Sequence, residues 1–187
     1  MAHDLYKKVE QFVVASFNNA GKSSQVKHFL RTVHWVRELR PGADEALLIS
    51  AVAHDIERAF RQEDVVEKKH SVGFVHLDFL RPHEERGAEI VCDFLRHQGA
   101  ADELIMRVMM LVSRHEEGGN DDQNLLKDAD SISHFETTAS SFILKRVDEM
   151  GKDRVREKIE WMFKRITSGK ARQIVKPWYE KALSTLR

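Results

Sequence analysis

The sequence predicts an all-α domain, and three observations predict it. Apolar residues recur at steps of three and four, not two, along nearly the whole chain. Only nine Gly and three Pro interrupt 187 residues, too few for the many turns of an all-β fold. Hydrophobic residues make up 42% and charged residues 32%, with 30 Lys+Arg against 30 Asp+Glu. That composition supplies apolar surface for one packed core and no net charge to hold the chain open, so residues 1–187 read as a single domain of about eight helices.

The first helix runs from about Asp4 to Phe17 and stops at Asn18-Asn19-Ala20-Gly21; Ser23 or Ser24 is the expected cap of a second, which ends before Pro41-Gly42. Asp44 opens the third, carrying Leu47, Leu48, Ala51, Val52 and then His54-Asp55, and fading near Phe60. A fourth is expected within Asp64–Leu80. Pro82 is placed to start a fifth, where its missing N–H costs least and Glu84 and Glu85 complement the helix dipole, and Gly99 ends it. The sixth spans about Ala101–Glu116 and stops at Gly118-Gly119. Asp121 or Asp122 caps the next, and Lys152–Ile166 and Ala171–Leu186 complete the chain.

No stretch approaches the 18 or so consecutive apolar residues of a membrane span. No leader-like opening is seen, and Cys92, the single cysteine, has no partner for an internal disulfide. Both favour a cytoplasmic protein. The balanced charge hides an asymmetry: residues 145–187 hold 13 Lys/Arg and 6 Asp/Glu, a net +7, leaving −7 on the rest. An acidic body argues against a general nucleic-acid surface. The basic flank could meet an anionic ligand but reads first as a solvated helical face, with Trp161, Trp178 and Tyr179 spaced for packing and not for base stacking. The last two helices are free to roof a site, form a homodimer interface or complete the core.

The functional signal lies in where polar residues fall on the apolar stripes. Steps of three and four from Ala51 reach His54 and Asp55; the stripe Leu104, Val108, Leu111 leads to His115; and one turn past Leu126 stands Asp130. Several helices each turning an ionisable group inward is costly unless something pairs them, and a metal does so economically. Mixed imidazole and carboxylate suit Fe, Mn, Zn, Co or Ni better than Mg or Ca.

These residues resemble the signature of the HD-domain superfamily: a His, a His-Asp pair and a distant Asp on helices around a metal. The match is His28, His54-Asp55 and Asp130. The pair sits in Ala-Val-Ala-His54-Asp55-Ile56-Glu57-Arg58, similar to the family's His-Asp-Ile-Gly-Lys, and the last Asp in Lys127-Asp128-Ala129-Asp130-Ser131-Ile132, similar to its Asp-Ala-Asp-Arg-Leu. The likeness spans roughly residues 25–135. His28 and His34 both precede Arg by three residues, as in the family's His-x-x-Arg, and His28 is preferred because it leaves about three helical turns before Pro41. His83-Glu84-Glu85-Arg86-Gly87-Ala88 resembles the His-x-x-x-Gly-Ala segment of relatives with a second metal, and His115 their next histidine.

The resemblance implies one or two divalent transition ions held by His28, His54, Asp55, His83, His115 and Asp130, with Asp55 bridging and orienting a water nucleophile for attack at phosphorus. It further implies a metal-dependent phosphohydrolase acting on a nucleotide or other small phosphoester. Arg58, at the family's Lys position, is the leading phosphate-binding candidate, with Lys127 and Arg86 (and Arg114) beside ligand positions. Glu57 in place of the family's Gly, and the lack of a downstream Gly-Tyr-Pro, set the chain apart from the cyclic-dinucleotide phosphodiesterases. Arg58 and Ala59 in place of an acidic pair set it apart from the guanosine tetraphosphate hydrolases. The same ligand pattern belongs to HD-type di-iron oxygenases, and a non-catalytic metal-containing signalling module is the third reading.

Overall fold

A computed structural model describes residues 4–61 and 77–187, and among these residues it is helical throughout, with no strand. The helices are α1 (Asp4–Asn19), α2 (Val26–Leu39), α3 (Glu45–Ala53), the short α4 (Glu57–Phe60), α5 (Leu77–His97), α6 (Asp102–Val112), α7 (Asp121–Thr137), α8 (Ala139–Met150), α9 (Lys152–Lys164) and α10 (Gly169–Thr185). No helix of the described residues is long and apolar enough to cross a membrane. Most of the helix expected within Asp64–Leu80 lies outside the described residues, as do His3, His70 and His76.

Each helix buries the stripe its sequence predicts. On α1 this is Tyr6, Val9, Val13 and Phe17, packed on α3. Helix α3 is buried at every position but its first, as a central helix must be. Helices α2 and α7 form the most extensive pair, α5 lies on α6, and α3 joins these layers. One apolar cluster fills the space between α1, α2, α3, α5, α6 and the start of α7. A second joins the end of α7 to α8, α9 and α10. Helix α7 runs through both clusters, and the basic C-terminal flank is thereby folded against the body of the domain.

Local differences from the sequence reading have identifiable causes. Neither Ser23 nor Ser24 caps α2; a 3₁₀ turn at Ser23–Gln25 leads into it instead, with no side-chain cap. Pro82 does not start α5 but lies inside it. Its φ is already helical and it lacks only one N–H, so the helix runs through it, with Leu80, His83 and Glu84 buried on either side. Asn120, and not Asp121 or Asp122, caps α7. Its Oδ1 accepts from the N–H groups of Asp122 (3.1 Å) and Gln123 (3.0 Å), while Gln123 Oε1 accepts from Asn120 N (2.9 Å), a reciprocal capping box. Ser168 caps α10 through a hydrogen bond from Ala171 N and sets its start at Gly169. Helix α8 was not anticipated; its buried residues, Ala139 and Ile143, are too few to announce it.

Candidate metal centre

Two functional segments sit at helix ends, not inside helices as the periodicity suggested. After Ala53 the backbone of α3 tightens into i→i+3 bonding, with Ile56 N donating to Ala53 O (2.9 Å) and Arg58 N to Asp55 O (3.0 Å). His54 and Asp55 thus occupy the turn between α3 and α4. His115 likewise lies just past α6, its N–H directed at Val112 O at 3.4 Å. The stripe still aims all three side chains inward, because the chain keeps turning through i→i+3 bonds there.

His28 from α2, His54 and Asp55, His83 from α5, His115 and Asp130 from α7 come together, all buried. His28 Nε2 lies 3.0 Å and His54 Nε2 3.4 Å from the same Asp130 oxygen, Oδ1. Asp55 presents Oδ1 to His83 Nε2 at 2.9 Å and to His115 Nε2 at 3.8 Å, and Oδ2 to His54 Nε2 at 3.6 Å. Two groups suited to holding a metal ion result, His28, His54 and Asp55, and Asp55, His83 and His115; Asp55 is common to both.

The imidazoles share one orientation. Each directs Nδ1 at an acceptor of the fold: His28 at Ser133 Oγ (2.9 Å), His54 at Ala51 O (3.0 Å), His83 at Glu57 Oε2 (2.7 Å) and His115 at Val112 O (2.8 Å). Ser133 Oγ gives its own proton to His28 O (2.7 Å), which leaves it an acceptor for the ring. The fold thus engages Nδ1 of each ring and leaves Nε2 facing the centre, and a proton on Nδ1 is the tautomer a metal-ligating imidazole uses. Among the described residues, the buried Nε2 atoms of His54 and His115 have no hydrogen-bond partner. Buried nitrogens without partners, on rings whose other nitrogen is fixed by the fold, are what a metal ligand set requires.

Charge completes the centre. Burial opposes ionisation of Asp55, but Arg58 beside it, with Nη1 3.0 Å from Oδ2, together with His54, His115 and His83, holds the carboxyl well below the usual carboxylate range. Burial likewise works against Asp130 and Glu116, but Arg165, joined by His54 and His28 at Asp130 and by Lys158 and His115 at Glu116, overcomes it: Asp130 is held well below the usual range and Glu116 at about 2. Arg165 donates one Nη to each carboxylate, and its Nε donates to Ser131 Oγ at 2.9 Å. Glu57 is buried between His83 and Arg61. Burial raises its pKa, but those partners bring it down to about 2. For His115, burial favours the neutral ring and is overcome by Asp55, Glu116 and Glu84, which push the pKa up to about 9.

Of the phosphate-binding candidates, Arg58 is at the centre. Lys127 is buried, but its ammonium donates to Asn124 Oδ1 (3.1 Å) and Glu117 O (3.4 Å), fastening the loop that carries Gly118. Arg86 is exposed on α5. Neither makes a hydrogen bond or ion pair with the six clustered residues. His34 lies outside the cluster, against the Trp35 ring, and Arg114 pairs with Glu117 at 3.3 Å.

Sequence reasoning missed Arg165, Lys158, Glu84 and Ser133. The reading of the basic flank as a solvated face is corrected for Arg165, whose side chain is 5% exposed. Trp161, read as core, packs on the second cluster and also supports two cations, Lys158 Nζ at 4.1 Å and Arg165 Cζ at 4.7 Å from the ring centroid. An Arg placed seven residues after Lys158 and four after Trp161 on an amphipathic helix was the available signal. Without knowledge of which way α9 faces, it reads like any other surface Arg.

The family model that matches this chain covers residues 10–182 and is described as "Domain of unknown function (DUF4202)". Neither the curated proteins nor the solved structures contain a match.

Proposed function

The chain belongs to the DUF4202 family, and from the geometry of its buried centre we propose that it is a metal-dependent phosphohydrolase of HD type, acting on a nucleotide or other small phosphoester. One observation carries the reading. Two buried three-residue ligand groups share Asp55, and every contributing imidazole turns an Nε2 inward while the fold fixes its Nδ1.

His28, His54, Asp55 and Asp130 would hold one ion, and Asp55, His83 and His115 the other. When bound, divalent transition ions supply Lewis acidity, lowering the pKa of water and neutralising charge on phosphoryl oxygens. The chain's own residues do the rest. Asp55, which belongs to both ligand groups, would orient the attacking water. Arg58, fixed on Asp55 Oδ2 and 32% exposed, offers its remaining N–H groups to a phosphoryl oxygen. Glu57 keeps the His83 proton on Nδ1, so that ring acts as a ligand and not as an acid.

The test is metal content by plasma mass spectrometry on untagged protein purified without chelator, with His54→Ala and His83→Ala alongside. The expected result is about two equivalents of transition metal, one lost selectively from His83→Ala. Phosphate release from a panel of phosphoesters, with an oxygen-uptake control, follows. No metal, or metal indifferent to both substitutions, overturns the reading. Oxygen uptake without phosphate release assigns the centre to the di-iron oxygenase chemistry that the same ligand set supports.

A further inference from the structure

At the rim of the centre stand two cations with donor groups that the ligand set does not occupy. Arg58 gives Nη1 to Asp55, but its buried Nε has no hydrogen-bond partner among the described residues. Lys158 approaches from α9, its Nζ over the Trp161 ring, and no carboxylate of the described residues lies within ion-pair distance of it. The ring beneath it also carries Arg165, which is bound to Asp130 and Glu116, so one indole joins Lys158 to the cation that grips those carboxylates. Burial and the nearby Arg165 and Arg58 lower its pKa to about 8 against the pull of Glu116 and Asp130. A half-buried ammonium stacked on an indole and short of an anion is poised to receive one.

The free donors say which anion. Arg58 keeps a buried Nε, and Lys158 an ammonium, that no carboxylate of the described residues occupies. A terminal phosphate presents three unesterified oxygens and two negative charges to such donors, a phosphodiester two oxygens and one charge.

We propose that Lys158 and Arg58 form an anion clamp beside the metal centre that selects a terminal dianionic phosphate, so that the substrate is a phosphomonoester and not a phosphodiester. The substrate class rests on the phosphohydrolase reading; the clamp itself does not. In the reaction, water adds to phosphorus, the P–O ester bond breaks, and the alcohol leaves with a proton from that water. The other product, inorganic phosphate, is a ligand for the same clamp and serves as the probe.

Binding of inorganic phosphate to the Mn(II)-loaded full chain is measured by equilibrium dialysis for the native protein, Lys158→Met, Lys158→Gln and Lys158→Arg, with metal content and melting temperature recorded for each. The expected result is about tenfold weaker phosphate binding in Lys158→Met and Lys158→Gln, most of the affinity kept in Lys158→Arg, and unchanged metal content. Equal phosphate affinity in a folded neutral variant, or no phosphate binding by the native protein, overturns the clamp. In the kinetic arm, p-nitrophenyl phosphate is favoured over bis(p-nitrophenyl) phosphate in kcat/KM, and Lys158→Gln raises KM for the monoester more than it lowers kcat. A preference for the diester overturns the assigned substrate. Phosphate binding that depends on Lys158 with no ester cleaved supports the clamp and overturns the hydrolase. Monoester cleavage with a KM indifferent to Lys158 does the reverse.

Discussion

Arg165 holds Asp130 by one oxygen. Its Nη2 donates to Oδ2, and Oδ1 is left facing His28 Nε2 at 3.0 Å and His54 Nε2 at 3.4 Å. A carboxylate gripped on one side would be a directional, one-oxygen ligand on the other. The residue that grips it comes from a helix outside the stretch that carries the HD-like motifs.

Removing that grip should be costly twice over. Arg165→Gln leaves Asp130 and Glu116 buried without their cation, and loss of one partner of a buried pair costs about 3–5 kcal/mol. For a chain of this size that is a fall in melting temperature of roughly 10 °C. Arg165→Lys keeps the charge but not the two-pronged geometry and should fall between. Thermal melting of metal-stripped protein checks this; a native melting temperature in Arg165→Gln would show that the pair carries no stability.

Glu57 addresses one metal position and not the other. Glu57→Gln takes the carboxylate from His83 Nδ1 and makes the ring a poorer donor, so affinity at the position formed by Asp55, His83 and His115 should drop by about 10- to 100-fold. The position formed by His28, His54 and Asp130 should keep its ion. Stepwise chelator titration, read by residual metal per chain, distinguishes this from an even loss at both.

The metal-free protein should be most stable near pH 6.5. On the alkaline side, His115 has a folded pKa of about 9 against the ordinary 6.5. Its contribution is complete below about 6.5 and is lost as pH rises toward 9, about 1–2 kcal/mol by pH 8. On the acid side, His134 is held neutral by burial, with its pKa lowered to about 3, so its contribution is present above about 6.5 and declines as pH falls toward 3. Glu57 and Glu116, at about 2 in the fold against the ordinary 4.5, add a second acid limb below about 4.5. Urea unfolding at a series of pH values measures both limbs. Saturation with metal, which requires neutral His115, should remove the alkaline limb only, and its persistence would exclude His115 as a ligand.

Much of the centre could be read from residue order because its parts obey helical arithmetic. Ala51 points to His54 and Asp55, Leu111 to His115 and Leu126 to Asp130, and each arrives where its stripe directs. The choice of His28 over His34 rested on helix length alone, and only His28 faces Asp130. What could not be read depends on how helices meet. Ser133 is one more small polar residue until α2 lies against α7 and brings His28 to it. Asp128 looks like a solvated neighbour of the motif until its carboxylate accepts the N–H groups of Thr167 (2.8 Å) and Ser168 (2.7 Å) and ties the α9–α10 connection to α7. Arg165 and Lys158 belong to the same class: their roles follow from that tie and not from their spacing.

Asp55 divides its two oxygens between the two ligand groups, and this makes metal occupancy a property of the pair. An ion held on the Oδ2 side would withdraw electron density from Oδ1 and fix the rotation of the whole carboxylate, so the other position would be altered before its own ion arrived. Thermodynamic reciprocity then requires the influence to be equal in both directions. Loading curves for the two positions should therefore not be separable into independent isotherms. A substitution that tunes one ion will be felt at the other through a single side chain.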